Sequence, residues 1–139
     1  HQPTRRRRQR QMCIRDRYRP WFVTKMFWEG TPENLKHFVA NPENGSSHNK
    51  GCAIDIGLYD IKTGESIVMI SGYDEFTERA YPNYMGGSKK QRDIRDMLIQ
   101  VMERNDFTVY EYEWWHFNYN GCDSGIMNYS FEELDSISS

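Results

Sequence analysis

A lone carboxylate inside an apolar strand sets the tightest constraint on this chain. Residues 52–59 read Cys52-Ala53-Ile54-Asp55-Ile56-Gly57-Leu58-Tyr59. Their alternation predicts a β-strand with Ile54, Ile56 and Leu58 on one face and Ala53, Asp55 and Gly57 on the other. A carboxylate on a strand at the core costs several kcal/mol unless it is paired. The fold must therefore bring a partner to Asp55. A salt bridge would serve, and a metal ion is a natural alternative.

The elements around this strand are short. Residues 21–29 (WFVTKMFWE) suit a short helix or a buried edge. Thr31-Pro32-Glu33 reads as a helix start, with Thr31 as the cap, and residues 33–40 follow as a short helix. Asn41 to Gly45 has loop chemistry. After the Asp55 strand, Lys62-Thr63-Gly64-Glu65 reads as a turn and residues 66–70 as a second strand, so the two form a hairpin. Residues 72–88 read as an irregular loop. Residues 89–105 have helical spacing, with Ile94, Leu98, Val101 and Met102 as the apolar stripe. Residues 107–115 form a last strand, and a tail with a short helix at residues 131–134 closes the chain. The expected class is α+β: a small antiparallel sheet with flanking helices.

The first 17 residues are unlike the rest. They hold seven of the chain's 18 basic residues and one acidic residue, Asp16. Without them the balance is 11 basic against 19 acidic, a net charge of −8 instead of −2. A basic arm for nucleic acid or anionic lipid is one reading. The other is a non-native or disordered Arg-rich segment, because MCIRDR resembles translated adapter sequence at the ends of assembled reading frames. Residues 1–17 are accordingly set apart from a domain at 18–135, and the start of that domain is expected to be missing. The acidic remainder argues against nucleic acid as a partner. No apolar run approaches the ~20 residues of a membrane span, and the opening residues carry no signal-peptide pattern.

Two segments concentrate chemistry: residues 46–55 (SSHNKGCAID) and residues 111–116 (EYEWWH). A catalytic zinc takes three protein ligands and keeps a fourth position open. His48, Asp55 and His116 are ligands of the right types. Glu113 precedes His116 by three, and on an unbroken strand the two point to opposite faces. If both serve one site, the strand must end or bulge near Trp114–Trp115. Glu113 would then stand over the site as general base. Each piece alone has an ordinary alternative: a satisfied histidine, a salt-bridged aspartate, two core tryptophans.

Together the segments resemble the D-alanyl-D-alanine dipeptidases, LAS-type zinc peptidases. Ser46 through Asp55 matches Ser-x-His-x-x-x-Gly-x-Ala-x-Asp, and Glu113 through His116 matches Glu-Trp-Trp-His. The resemblance runs from about Tyr18 to His116. It implies the LAS/hedgehog-type DD-peptidase fold, one zinc ion held by His48, Asp55 and His116, and Glu113 as catalytic base. Tyr18-Arg19-Pro20 matches the family's Tyr-Arg-Pro, which implies that Arg19 stabilises the oxyanion. Gly72-Tyr73-Asp74 resembles the substrate loop, which implies that Asp74 pairs with the free amine of a dipeptide. Ser46 either contacts substrate or caps a turn. The implied substrate is a small D,D-dipeptide from peptidoglycan precursor metabolism. Alternatives are a D,D-carboxypeptidase or peptidoglycan endopeptidase on the same scaffold, or a non-catalytic zinc-binding module. Compartment stays open, since family members occur in cytoplasm and cell envelope.

Three cysteines without Cys-x-x-Cys spacing argue against a disulfide framework. Cys52 reads as a small core residue and Cys122 as a free thiol in a loop.

Overall fold

The computed structural model describes residues 10–138. Its centre is an antiparallel sheet in the order β1-β2-β4-β3, built from β1 (Arg10–Asp16), β2 (Ala53–Asp60), β3 (Phe107–Tyr110) and β4 (Glu113–Tyr119). Three helices flank it: α1 (Trp21–Gly30), α2 (Lys89–Glu103) and α3 (Phe131–Ile137). This is the α+β architecture expected from the sequence.

The two faces of the sheet do different work, and the period of two decides which residue does which. Ile56 and Leu58 of β2 join Trp115 and Phe117 of β4 in the core, where Ile94, Leu98 and Met102 of α2 cover them. Ser88 caps α2 through a reciprocal pair of hydrogen bonds with Gln91, which satisfies backbone donors at the helix start. Val101, expected in the apolar stripe, is 38% exposed; buried Arg95 lies beside Ile94 instead. Its guanidinium donates to the Tyr84 carbonyl at 2.6 Å and pairs with Asp96 at 2.8 Å.

Several expectations need correction. Arg10–Asp16, set apart from the domain with the Arg-rich segment, form the edge strand β1, paired with β2 from Arg10↔Asp60 to Asp16↔Asp55. The side chains of β1 are half-buried or exposed, so the strand is held by backbone pairing that leaves little apolar pattern to read. Residues 1–9 of that segment lie outside the described residues. The hairpin after β2 does turn, with Asp60 N–H donating to the Glu65 carbonyl at 2.9 Å. Residues 66–70 do not continue as a strand, and pairing stops at a bridge from Tyr59 to Ser66. The chain leaves the ladder to bury Met69 and Ile70, and Gln91 and Arg79 side chains satisfy their carbonyls. Those bonds replace a sheet partner.

The last strand is two strands. Residues 107–115 break at Glu111–Tyr112, and β4 runs on to Tyr119. Residues 33–38 form a 3-10 turn with Pro32, not Thr31, in the cap position. The Thr31 hydroxyl instead donates back to the Phe27 carbonyl at the end of α1. Cys52 and Cys122, expected to be free, are joined as a disulfide with Cα atoms 5.5 Å apart. The two are 70 residues apart in sequence, but Tyr119 N–H donates to the Cys52 carbonyl at 2.8 Å. That ladder contact delivers Cys122 to its partner, which spacing alone does not reveal.

Candidate metal centre

Sheet register explains how two distant residues meet. Asp55 on β2 lies directly opposite His116 on β4, and cross-strand partners share a face with Cβ atoms ~5 Å apart. Their neighbours Ile54 and Phe117 pair on the opposite face, the face that builds the core. The polar couple therefore belongs to the side away from α2.

His48 comes from a 3-10 turn, Ser47–Lys50, whose ends are closed by local chemistry. Ser46 Oγ accepts from His48 N–H at 3.2 Å, and Asn49 Oδ1 accepts from Ser46 N–H at 2.8 Å. Gly51 ends the turn at φ +66°, a conformation that glycine adopts without a Cβ clash. Asn49 is fully buried. Its amide donates to the Arg19 carbonyl at 2.7 Å and to Thr24 Oγ1 at 2.9 Å. The turn is thus tied to the start of α1.

Three lone pairs converge where these elements meet. His48 Nε2 is 3.3 Å from Asp55 Oδ1, His116 Nδ1 is 3.1 Å from the same oxygen, and the two nitrogens are 3.1 Å apart. The far nitrogen of each ring fixes its tautomer. His48 Nδ1 meets the Arg17 carbonyl, and His116 Nε2 meets Asn118 Oδ1 at 3.1 Å and the Ser47 hydroxyl at 3.2 Å. The Arg17 and Asn118 oxygens only accept, so protons on those outer nitrogens satisfy them and leave the inner ones bare in the neutral rings. Asp55 Oδ1 is buried with no hydrogen-bond donor, while Oδ2 accepts from Tyr73 at 3.0 Å. Such a triangle calls for a cation. Metal bonds of ~2.0–2.2 Å in a tetrahedral site put ligand atoms roughly 3.3 Å apart, and the separations here fit. Burial pushes the Asp55 carboxyl up, yet protonated His116 and His48 rings beside it would outweigh burial and hold it well below the usual carboxylate range.

Glu113 reaches the same place through the irregularity that the sequence required. Val109 pairs with Phe117 and Tyr110 with Glu113, so residues 114–116 bulge out of the β3–β4 ladder. Glu113 Oε2 then lies 3.8 Å from His116 Nδ1. Burial, with the charges of Asp55 and Asp74, pushes its carboxyl up to about 7 against the opposing pull of His116 and Arg19. A carboxylate tuned to that range exchanges protons readily near neutral pH.

The triangle opens into a cleft of about 740 Å³ lined by Arg19, Ser46, Asp74, Phe76, Tyr110 and Glu113 among others. Arg19 donates to Asp16 Oδ2 from Nε at 3.0 Å and from Nη2 at 2.6 Å, and its guanidinium lies 4.9 Å from the Phe27 ring centre. Asp74 sits at a left-handed φ of +56°. Partial desolvation, then Asp55, raises its carboxyl, with Arg19 opposing. Ser46 caps the His48 turn and also lines the cleft. All seven sequence candidates thus gather in one region. Reading the sequence missed Asp16, Tyr73 and Asn118. Asn118 was detectable as the residue two beyond His116 on the same strand face; Asp16 was passed over with the Arg-rich segment.

A model of the D-ala-D-ala dipeptidase family of M15 peptidases matches residues 2–136. The chain is similar to the D-alanyl-D-alanine dipeptidase of Enterococcus faecium, 34% identical over 125 aligned positions, covering 76% of this chain and 60% of that protein. It is 31% identical to the Enterococcus faecalis dipeptidase, with the same coverage. To the Escherichia coli dipeptidase it is 33% identical, covering 77% of this chain and 54% of the other. The chain thus spans a little over half the length of these relatives. With the family model matched across nearly the whole chain, this protein belongs to the D-ala-D-ala dipeptidase family of M15 peptidases.

Proposed function

We propose that this chain is a zinc-dependent dipeptidase that hydrolyses D-alanyl-D-alanine in peptidoglycan precursor metabolism. The observation that carries the reading is the buried His48–Asp55–His116 triangle with a raised glutamate beside it. Two imidazoles and one carboxylate, with room for a fourth ligand, suit zinc. When bound, zinc supplies Lewis acidity that makes water nucleophilic near neutral pH and polarises a carbonyl.

The chain's own groups supply the rest. Glu113 takes a proton from the attacking water as its oxygen bonds to the amide carbon. The same proton goes to the leaving nitrogen as the carbon–nitrogen bond breaks, and two amino acids leave. Arg19 faces the developing oxyanion, and its two hydrogen bonds to Asp16 hold the guanidinium in place before reaction begins. Asp74 at the cleft pairs with the free ammonium of the substrate, which favours a dipeptide over the interior of a long chain. His48, Asp55 and His116 would hold the one metal.

A second reading has an observation of its own. A 740 Å³ cleft lies in the ~300–1,000 Å³ range of sites for drug-sized ligands, so it has room beyond a dipeptide. A D,D-carboxypeptidase or endopeptidase would use that room. Hydrolysis of free D-Ala-D-Ala and of a stem peptide ending in D-Ala-D-Ala, compared by kcat/KM at saturating Zn2+, tests the two. The dipeptide is expected to be preferred at least tenfold; preference for the stem peptide would overturn the dipeptidase reading.

A further inference from the structure

We propose that Tyr73 is a positioning residue that makes Asp55 a one-oxygen ligand and couples the Asp74 loop to the metal centre. The inference rests on the reading of His48, Asp55 and His116 as metal ligands.

The argument begins with what a carboxylate does when both oxygens are free. It can approach a cation through either oxygen or both, and it rotates among these modes. Here the choice is already made. The Tyr73 hydroxyl donates to Asp55 Oδ2 at 3.0 Å, while Oδ1 is buried without a donor and faces both histidines. Groups that hold a ligand from behind commonly tune metal affinity by 10–100-fold.

The phenol is itself held. Its ring packs edge-on against fully buried Trp115, with centroids 5.6 Å apart. On another side the Arg15 guanidinium lies 6.0 Å from the ring centre. Arg15 gets there by crossing β2 over Gly57, where a Cβ would meet Arg15 Nε at 2.9 Å. A glycine on the metal-site face of β2 is therefore part of the support. Tyr73 also immediately precedes Asp74, whose backbone is left-handed. Anchoring Tyr73 on Asp55 fixes one end of that strained residue and with it the direction of the Asp74 carboxylate. Metal ligation and substrate anchoring are thus joined through one hydroxyl.

Tyr73→Phe tests this. The residue is 36% exposed, so losing the hydroxyl spares the core. The metal-free proteins are titrated with Zn2+ in competition with a chromogenic chelator, with wild type and Asp55→Asn in parallel. Tyr73→Phe is expected to bind about 10-fold more weakly, and at saturating Zn2+ its KM for the dipeptide should rise at least threefold with kcat within twofold. Zinc affinity within twofold of wild type overturns the positioning role, and an unchanged KM overturns the coupling to Asp74. Failure of wild type to bind Zn2+, or full affinity in Asp55→Asn, would instead overturn the metal reading beneath it.

Discussion

Replacing Glu113 by glutamine should make the metal-free protein more stable at alkaline pH while removing its catalysis. Glu113 is raised from an ordinary 4.5 to about 7, chiefly by burial. Its folded value lies above its unfolded value, so its favourable contribution is complete below the unfolded pKa and is lost as pH rises through the folded one. At 1.36 kcal/mol per unit, ionising it in the folded chain costs roughly 3 kcal/mol once pH exceeds about 7. Glutamine has nearly the same shape and never ionises. In urea denaturation with chelator present, E113Q should exceed wild type by about 3 kcal/mol at pH 8 and by no more than ~1 kcal/mol at pH 5. Turnover with zinc should fall at least a hundredfold. Equal gaps at the two pH values, or a less stable variant at pH 8, would refute the argument that burial of this acid is an energetic load kept for chemistry.

Two further outcomes follow from the same geometry. Removing metal from wild type should lower the calorimetric midpoint, since a ligand at a thousand times its Kd stabilises by about 4 kcal/mol; Asp55→Ala or His116→Ala should abolish that difference along with activity. Breaking the Cys52–Cys122 bridge, by reductant or by Cys122→Ser, should cost about 4 kcal/mol in denaturant, the chain-entropy value for a closed loop of 70 residues. A reductant-insensitive denaturation curve would count against the bridge.

The sequence pointed to the candidate cluster better than to the strands that carry it. His48, Asp55, Glu113 and His116 were legible because each pairs an unusual residue type with a local reason for it. Asp55 stands in an apolar alternation, and Glu113 and His116 demand a bulge between them, which the β3–β4 register supplies. What escaped notice depended on pairing across the chain. β1 offers almost no apolar pattern because an edge strand needs only backbone partners. Met69 and Ile70 look like strand residues, but burial under α2 outweighs β-propensity once Gln91 and Arg79 accommodate their carbonyls. The disulfide needed the Tyr119–Cys52 contact, and Tyr73 needed knowledge of where its hydroxyl ends.

The supports of the site divide its chemistry into two rigidities. Asp55 and His116 are set by a ladder in which a one-residue slip would turn every side chain to the wrong face. His48 is set by a capped turn anchored on buried Asn49. None of the three can shift without breaking backbone or buried hydrogen bonds, so metal geometry is tied to global folding. Arg19 and Asp74 stand on connecting segments and depend on few side-chain partners, Asp16 and Phe27 for Arg19, and Tyr73 and Glu75 for the segment holding Asp74. Perturbing those partners should therefore alter turnover or KM well before it unfolds the protein, whereas perturbing the ligand scaffold should cost affinity and stability together. The bulge at residues 114–116 is where the two regimes meet, because its register shift brings Glu113 to within 3.8 Å of His116.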